Sequence, residues 1–355
     1  MIPPIVVWRA FRVWRAWRRG RPKPLSVTYF VNGACNLRCR GCFFFEHPPE
    51  SLDADAELGT HEALALVDDL ARLGVPFLEL VGGEPFLRRD LLELARHARK
   101  RGLWCGVTTN GTRLDAAVAA EARRTFRTVF VSLDGFEAAH DVVRGVGGYA
   151  RALAGLDHLL AAPGRALVGV STILTPENLA SLPDFAAFLR ARGVGQWVLS
   201  SALAPAPAVD PAAAAPVLAR LARLRREDPE FFPQEERFFA ALLGLQRGEG
   251  RYGCHVDQLL HVSVTPSGET SACCLWPVPL GPASQGELAA TLARAAREPS
   301  RFEPVDRCSG CARHDYAYTM ALFRRPLPRR VGEGLRLALG RGLASPSAGA
   351  DGERR

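Results

Sequence analysis

The sequence predicts an α/β protein in which parallel strands alternate with helices between residues 25 and about 201. Short runs rich in apolar and β-branched residues alternate with longer segments whose apolar residues recur at helical spacing. Strands and helices in this order form a parallel sheet with right-handed crossovers. A partial or full barrel and an open doubly wound sheet both fit the pattern. In both, the functional site lies at the C-terminal ends of the strands.

Six strands, the helices between them and the polar clusters that follow them are predicted in chain order. The predicted strands are Ser26–Val31, Phe77–Val81, Trp104–Thr108, Thr128–Leu133, Leu167–Ile173 and Gln196–Leu199. The predicted helices include His61–Leu73, Leu91–Arg101, Tyr149–Ala161 and Leu179–Arg192. Polar and glycine-rich clusters follow four strands, at Asn32-Gly33, Gly82–Pro85, Asn110-Gly111 and Asp134-Gly135. We therefore expect these clusters to share one rim of the sheet.

Composition divides the chain into five segments. Residues 1–24 predict a basic amphipathic helix, residues 25–205 the α/β core, and residues 206–253 a helical bridge. Residues 254–320 form a cysteine-rich module, and residues 321–355 an Arg-rich tail that we expect to be mobile. The Ala/Pro-rich stretch 202–215 is interpreted as a linker. Within the module, Val264–Cys273 predicts a strand, a turn and a second strand.

Charge and apolar patterning exclude several classes of protein. The net charge is +8, but seven basic residues and no acidic one lie between Arg9 and Lys23, and the tail is also basic. No basic stripe crosses the core, so we expect no nucleic-acid partner. No apolar run reaches the roughly 18 residues of a membrane span, and the start lacks the pattern of a signal peptide. We therefore predict a cytoplasmic protein, in which clustered cysteines indicate metal binding or catalysis rather than disulfides.

Three cysteines follow directly on the first strand. Cys35, Cys39 and Cys42 place three thiolates on one loop, enough to ligate three irons of a 4Fe–4S cluster. Such clusters normally take four cysteines. A local set of three leaves one iron open to a substrate or cofactor, as catalytic zinc sites leave one position open. The alternative is a zinc knuckle with His47 as the fourth ligand, although the spacing is unusual for zinc.

The C-x3-C-x2-C spacing after a first strand resembles the radical SAM superfamily. The other matching motifs follow later strands: Gly82-Gly83-Glu84-Pro85, Thr109-Asn110-Gly111, Ser132-Leu133-Asp134-Gly135, and the stretch His140-Asp141 with Arg144-Gly145. The resemblance covers about residues 25–200 and implies a partial (β/α)6 barrel. One departure stands at Gly41, where many members carry an aromatic residue near the adenine. In this chain an aromatic residue, Phe43, follows the third cysteine instead.

The resemblance implies a reaction and a set of contacts. S-adenosylmethionine (SAM) would chelate the open iron, and a donor such as flavodoxin or ferredoxin would supply the electron. Reductive cleavage would then yield a 5′-deoxyadenosyl radical that abstracts hydrogen from a substrate. The implied contacts to SAM are Gly82, Gly83, Glu84 and Pro85 to the amino group, Ser132 and Arg144 to the carboxylate, and Asn110 to the ribose. The alternative for these residues is a structural role in turns and caps.

The second cysteine set resembles the C-terminal auxiliary-cluster modules called SPASM and twitch. The chain has fewer cysteines than a full SPASM module, which implies the shorter type with one auxiliary 4Fe–4S cluster. The assigned ligands are Cys254, Cys273, Cys308 and Cys311, with Cys274 as the alternative to Cys273. A zinc ribbon with four cysteines is the competing interpretation, because Cys308 and Cys311 have the C-x2-C spacing of many metal sites.

The N-terminal segment leaves two partners open. On a helical wheel Arg9, Arg12, Arg15 and Arg19 lie opposite the apolar side that includes Trp14 and Trp17. This composition suits either peripheral contact with a membrane or docking on the enzyme with the arginines in water. A peptide, small-molecule or cofactor-precursor substrate is predicted from the auxiliary module. A lipid-modifying enzyme at the membrane surface and a non-catalytic electron-transfer or zinc-binding scaffold are the alternatives.

Overall fold

The computed structural model describes residues 3–21, 23–46, 57–201, 209–248, 256, 259–273, 278–283, 286–298, 300 and 302. Within these ranges one nine-stranded sheet forms, in the order β6-β5-β4-β3-β2-β1-β7-β8-β9. Its strands are β1 (Ser26–Phe30), β2 (Phe77–Val81), β3 (Trp104–Thr109), β4 (Thr128–Ser132), β5 (Leu167–Leu174), β6 (Gln196–Ser201), β7 (His261–Val264), β8 (Glu269–Ser271) and β9 (Pro279–Pro282).

The first six strands are parallel and are joined by helices, which confirms the α/β prediction. The helices are α1 (Pro4–Trp17), α2 (Phe43–Glu46), α3 (Thr60–Leu73), α4 (Leu91–Lys100), α5 (Ala116–Thr125), α6 (Glu137–Arg144), α7 (Gly148–Ala161), α8 (Leu182–Ala191), α9 (Pro211–Glu227), α10 (Glu236–Gln246) and α11 (Leu288–Ala295). In the described residues β6 and β9 are the edges of the sheet, so the barrel is open rather than closed.

Alternation along each strand separates the packed face of the sheet from its concave face. On β2, Leu78 and Leu80 are buried against helices, while Phe77, Glu79 and Val81 face the other way and are partly exposed. The same alternation on the neighbouring strands forms one continuous apolar core between sheet and helices. The carboxyl ends of all six parallel strands consequently meet at one rim, and the concave face below the rim remains partly open.

The cysteine-rich module begins as an extension of the sheet. β7 pairs in parallel with β1, with His261 opposite Ser26, and β8 returns antiparallel to β7. The turn and the second strand predicted in Val264–Cys273 are present, whereas the first strand lies earlier than predicted, at His261–Val264. Because β8 runs opposite to β1, the chain at Cys273 has returned toward the N-terminal end of the barrel strands. Cys273 is buried there, two residues after β8 ends.

The predicted linker 202–215 is too long at its C-terminal end. Helix α9 begins at Pro211, because the Asp210 carboxylate accepts hydrogen bonds from the N–H groups of Ala212 and Ala213. Proline at the first helical position suits this start. Residues 202–208 lie outside the described residues. Two helices, α9 and α10, lie within residues 206–253, and the boundaries of this segment stay a prediction.

Helix α1 docks on the N-terminal end of the barrel, and its packing corrects the helical wheel. Arg9 was expected on the solvent side but is only 8% exposed. Its guanidinium donates hydrogen bonds to the carbonyls of Ala71, Val75 and Arg101, where two helices end and lead into strands. The Ala71 carbonyl also accepts from the N–H of Gly74, and the buried arginine adds a donor to each of the three carbonyls at these helix ends. No helix in the described part of the chain is long and apolar enough to cross a membrane.

Replacing Arg9 by alanine should detach α1 from the barrel. The change removes three hydrogen bonds and leaves three carbonyls without this partner, so we expect the free energy of unfolding to fall by about 2–3 kcal/mol. Chemical denaturation and limited proteolysis within residues 1–24 measure the effect. Arg12→Ala is the matched control, because Arg12 is exposed and a surface change of this kind costs within about 0.5 kcal/mol. Equal stability of the two variants would contradict the docking role.

Candidate active site

The loop that carries the three cysteines is held by every neighbouring loop at the rim. The N–H groups of Gly83 and Glu84 donate to the carbonyls of Asn32 and Ala34, which joins it to the loop after β2. On the opposite side, the N–H of Arg40 donates to the carbonyl of Val143 in α6. The Arg40 side chain forms an ion pair with Glu177 in the loop after β5. The loops following β1, β2, β4 and β5 thus converge; a shared rim was predicted for the first three of them, while the loop after β5 was not predicted.

Two glycines let the loop after β2 approach the cysteine loop backbone to backbone. A Cβ atom at Gly83 would lie 2.3 Å from the carbonyl oxygen of Ala34, directly before Cys35. A Cβ atom at Gly82 would lie 2.4 Å from the Asn32 side-chain oxygen. Neither contact is sterically possible without a shift of the backbone. Glycine is required here by packing, while both residues keep partly exposed backbone at the rim.

Glu84 is enclosed by the protein rather than open at the rim. Its side chain has no exposed surface. One carboxylate oxygen accepts from the Thr109 hydroxyl at 2.7 Å and from the Phe86 N–H at 3.0 Å, and the other accepts from the Asn110 N–H at 2.8 Å. Burial raises the pKa of the Glu84 carboxyl, and these donors oppose that rise. In this arrangement Glu84 clamps the loop after β2 to the loop after β3. Its expected contact with an ammonium group stays a prediction that this geometry does not support.

Asn110 likewise serves the protein scaffold in this structure. Its amide nitrogen donates to the Asn36 side chain at 2.9 Å, and its amide oxygen accepts from the backbone and the hydroxyl of Thr112. The Asn36 amide also donates to the Thr112 hydroxyl. This triangle anchors the start of the cysteine loop to the end of β3. The expected ribose contact of Asn110 would require a part of this network to open.

A buried ion pair fixes the turn after β4. Asp134 is fully buried, and its carboxylate accepts from the Arg144 guanidinium at 2.6 Å and from the Ile173 N–H at 2.9 Å. Breaking a buried pair of this kind costs about 3–5 kcal/mol because one charge is left unpaired. Arg144 also interacts electrostatically with Cys39, which places positive charge beside the thiols. Ser132 ends β4 on the same rim, partly exposed.

His140 and Asp141 have structural roles in the same turn. The His140 Nδ1 accepts from the Asp134 N–H at 3.1 Å, and burial together with Arg144 lowers the pKa of His140 to about 4. The ring is therefore neutral at pH 7. Asp141 accepts from the N–H groups of Gly147 and Tyr149 and so holds the start of α7. The stretch that resembled a family signature thus shapes the turn beside the cysteine loop.

The three thiols lie on one loop at the rim. Cys35, Cys39 and Cys42 are each half-buried, and they interact electrostatically with one another. Burial raises the pKa of Cys35 and of Cys39, and Arg144 opposes the rise at Cys39. In the described residues no three His, Cys, Asp or Glu side chains could hold one metal ion. Thiolates that each bind a different iron of a cluster do not need that convergence.

Gly41 explains the departure from the family pattern before the third cysteine. Its backbone has φ 73°, in the left-handed region where side chains are strained. The aromatic residues instead follow Cys42: Phe44 stacks on Phe30 at 6.2 Å, and Arg38 lies over the ring of Phe45 at 4.2 Å. This apolar cluster covers one side of the cysteine loop. The side chain of Phe43 and residue His47 lie outside the described residues.

Sequence reasoning missed a carboxylate on the concave face. Glu79 lies in the middle of β2, and its Oε1 accepts from the Thr108 hydroxyl at 2.8 Å. Gly106 leaves room for it, since a Cβ atom there would lie 2.1 Å from the other Glu79 oxygen. The available signal was an acidic residue at an inward position of an otherwise apolar strand. Across the sheet His261 contacts the Ser26 and Thr28 hydroxyls, so the concave face is polar below the rim.

The second cysteine set is only partly described. Cys254, Cys274, Cys308 and Cys311 lie outside the described residues. Cys273 lies inside them and is 9% exposed, with its N–H 3.3 Å from the Ser271 hydroxyl. Its assignment as an iron ligand therefore stays a prediction, as does the choice between Cys273 and Cys274.

Comparison with known proteins relates the chain to a family of enzymes. Residues 29–189 match the model of the Radical SAM superfamily. Mycofactocin maturase MftC of Mycobacterium ulcerans is 31% identical over 277 residues, which are 74% of this chain and 71% of that protein. Pre-heme d1 synthase of Dinoroseobacter shibae is 36% identical over 51% of this chain and 44% of its own length. Fe-coproporphyrin III synthase of Methanosarcina barkeri is 36% identical over 45% and 39%. The chain thus spans less than half of the last two proteins.

Solved structures share the fold at low sequence identity. The structure of anSMEcpe with bound AdoMet has a TM-score of 0.60 at 18% identity and covers 80% of this chain and 86% of that one. The structure of Streptococcus suis SuiB bound to precursor peptide SuiA has a TM-score of 0.61 at 12% identity, covering 88% and 76%. These similarities support the partial (β/α)6 barrel with an extension beyond it.

Replacing Gly83 by alanine should displace the cysteine loop. The new Cβ atom cannot coexist with the carbonyl of Ala34, so the two hydrogen bonds that join the loops must break. We expect the variant to lose most of the iron that this loop binds after anaerobic reconstitution, measured by iron and sulfide analysis. Gly148→Ala is the control, because a Cβ atom there meets only ordinary contacts at 3.5 Å. Full iron occupancy in Gly83→Ala would show that the close approach is unimportant.

Proposed function

This chain belongs to the radical SAM superfamily, and we propose that it reductively cleaves SAM and abstracts hydrogen from a peptide or cofactor precursor. The family membership and the maturases and synthases among its relatives establish a radical SAM enzyme. The observation that carries the proposal is the direct contact between the loop of Cys35–Cys42 and the loop of Gly82–Pro85 at the C-terminal rim. The three cysteines thus lie next to the partly exposed backbone of two glycines.

The residues at the rim suit the two cofactors. Cys35, Cys39 and Cys42 would hold the 4Fe–4S cluster, leaving one iron for SAM. When bound and reduced, the cluster and SAM together supply a 5′-deoxyadenosyl radical, so the hard chemistry belongs to the cofactors. The partly exposed backbone at Gly82 and Gly83 is the part of that motif open to the SAM amino group. Pro85 is buried and supports the turn beneath it.

Two side chains at the end of β4 and in α6 are proposed to receive the SAM carboxylate. Arg144 keeps its charge beside the cysteine loop because it is paired with Asp134, and it presents donors beyond that pair. Ser132 is partly exposed at the strand end and offers a hydroxyl. A charged group held in a largely buried setting binds an anion more strongly than it would in water. The ion pair with Asp134 fixes the position of Arg144, and Arg144 in turn orients SAM.

The apolar residues on the other side of the cysteine loop exclude water. Phe30, Phe44 and Val81 pack with Cys42 in one cluster at the rim. A radical that is shielded from solvent reacts with the bound substrate rather than with other molecules. Below the rim, the polar concave face with Glu79 and Thr108 offers hydrogen-bonding groups to a substrate. Glu79 lies on this face, and we propose that its carboxylate accepts or holds a substrate proton.

An auxiliary 4Fe–4S cluster is proposed for Cys254, Cys273, Cys308 and Cys311. The support is the position of Cys273, which is buried toward the opposite end of the barrel strands from Cys35. A strand of five residues spans about 17 Å, so a substrate on the concave face would lie between the two centres. Such a centre could accept an electron from a substrate radical. A low-potential protein such as flavodoxin or ferredoxin would reduce the first cluster, and a reducing cytoplasm suits both centres.

Between the two candidate substrate classes, a peptide has more support than a tetrapyrrole precursor. MftC of Mycobacterium ulcerans, which matches 74% of this chain and 71% of its own length, is named a maturase, and three structures with the same fold hold peptides. A tetrapyrrole precursor is the second candidate, because relatives at 30–36% identity are named synthases of heme, pre-heme d1 and Fe-coproporphyrin III. The two are separated by which compound class stimulates 5′-deoxyadenosine formation.

The remaining alternatives have less support. A lipid-modifying enzyme was suggested only by α1, and α1 docks at the N-terminal end of the barrel, away from the cysteine rim. A zinc-binding scaffold is less favoured because the family to which the chain belongs consists of SAM-dependent radical enzymes. A protein that only transfers electrons would not need the partly exposed backbone of Gly82 and Gly83 beside the cysteines.

Changing Cys35, Cys39 and Cys42 to alanine should abolish 5′-deoxyadenosine formation. The variant should also lose about four irons, because one 4Fe–4S cluster is removed. Iron analysis and mass spectrometry of the anaerobic, reduced protein with SAM measure both effects. Cys105→Ala is the control: Cys105 is fully buried in β3, so we expect unchanged iron and product. Product formation by the triple variant, or a loss of zinc instead of iron, would refute the proposed site.

Changing Ser132 to alanine should weaken SAM binding without unfolding the rim. Losing one hydrogen bond to a carboxylate costs about 1.5 kcal/mol, so the Kd for SAM should rise about tenfold. Equilibrium binding to the reconstituted protein, together with its thermal midpoint, measures this. Ser171→Ala is the matched control on the neighbouring strand, since Ser171 is paired with Ser132 in the register. If both serine variants bind SAM equally, the carboxylate contact of Ser132 is wrong.

A further inference from the structure

We propose that the outer face of helix α1 binds the surface of an anionic lipid bilayer, with the catalytic rim turned away from the membrane. The inference does not depend on the proposed reaction, because it concerns the end of the barrel opposite the cysteines. It starts from three large apolar side chains that this face leaves in solvent. Ile5 is 41% exposed, Trp8 51% and Phe11 36%. They follow one another at helical spacing and form a row along the first half of the helix.

Ile5 lies beside Gly102 and Phe11 stacks on Trp14, but the buried contacts of the helix come from other side chains. The docked side of α1 is separate: Val6, Arg9 and Val13 are buried, and Val13 packs against Leu25 and Leu260. The exposed row therefore faces away from the core, where large apolar groups are costly unless they meet an apolar partner. Tryptophan and phenylalanine are typical of helices that lie in a membrane interface.

The charge of this face selects an anionic partner. Arg12 and Arg15 in the second half of the helix and Arg18 and Arg19 directly after its end are exposed. The first acidic residue in the chain is Glu46, so no acid within the segment opposes them. The Arg12 guanidinium lies 4.7 Å from the centre of the Trp8 ring, so the charged and apolar groups adjoin. Arginine stems rest on apolar surface while their heads reach phosphate groups, which suits the headgroup region of anionic lipids.

The orientation of the docked enzyme follows from where α1 is attached. Arg9 binds carbonyls in the segments that lead into β2 and β3, so α1 lies at the N-terminal ends of the strands. The cysteine loop follows the C-terminal end of β1, about 17 Å further along the strands. A membrane on α1 thus leaves the rim facing water. The enzyme would meet water-soluble peptide or cofactor precursors at the membrane surface, and lipids of that bilayer would not reach the rim.

Vesicle flotation of the full-length reconstituted protein tests the proposal. The probes are vesicles of phosphatidylcholine with about one-third phosphatidylglycerol, and vesicles of phosphatidylcholine alone. We expect binding to the anionic vesicles only, and loss of binding at about 1 M salt, where charges are screened beyond about 3 Å. The variant Arg12→Gln/Arg15→Gln should bind about 25-fold more weakly, at about fivefold for each arginine. The variant Trp8→Gln/Phe11→Gln should also lose binding.

A matched control removes two exposed arginines elsewhere, by Arg151→Gln/Arg223→Gln, and should bind anionic vesicles as the parent does. Limited proteolysis of each variant verifies that α1 stays docked. Equal binding of the control and the α1 variants, or no binding by the parent, would overturn the proposal. Concentration-dependent dimerisation that the Trp8→Gln/Phe11→Gln variant abolishes, without vesicle binding, would assign the face to a second copy of this chain. Unchanged 5′-deoxyadenosine formation by the vesicle-bound parent is expected from the orientation.

Discussion

The contact between the cysteine loop and the loop after β2 is the constraint on which the rest of the site depends. Two backbone hydrogen bonds join the loops, and Gly82 and Gly83 permit an approach that any Cβ atom would block. Glu84 extends the contact to a third loop, because its buried carboxylate binds donors after β3. A short motif therefore fixes the place of three thiols that are far from it in sequence. The role of the motif that the contacts support is the positioning of the cysteine loop.

The parallel sheet provides the condition for this contact. Six strands that end at one rim bring together loops spread over about residues 31–178, each tied to the next by a few hydrogen bonds. The Asp134 carboxylate ties the turn after β4 to Arg144 and to Ile173 near the end of β5. The Asn178 amide donates to the Asp134 carbonyl, which joins that turn to the loop after β5. At the opposite end of the barrel, the segments that lead into β2 and β3 are instead held by α1, through its buried Arg9. The rim that carries the cysteines and the surface on which α1 docks thus lie at opposite ends of the strands.

Much of this arrangement follows from the sequence because it is local. The alternation in Phe77–Val81 predicts a strand, and the glycines after it predict a turn at the rim. The burial of Arg9 could not be predicted, because a helical wheel uses only the charge of the residue. The three carbonyls that accept its hydrogen bonds come from distant parts of the sequence. The start of α9 was missed because one capping residue, Asp210, outweighs an Ala/Pro-rich composition. The enclosure of Glu84 was also unforeseen, because its donors come from a loop about 25 residues away in sequence.

The most direct test of the account is electron paramagnetic resonance of the reduced protein before and after SAM is added. The sample should lack the auxiliary cysteines, through Cys254→Ala and Cys308→Ala, so that only the first cluster contributes. The account predicts the signal of a reduced 4Fe–4S cluster that shifts when SAM is added, because one iron lacks a cysteine ligand and accepts SAM. A cluster signal that SAM leaves unchanged, or a protein that binds zinc in place of iron, would contradict it.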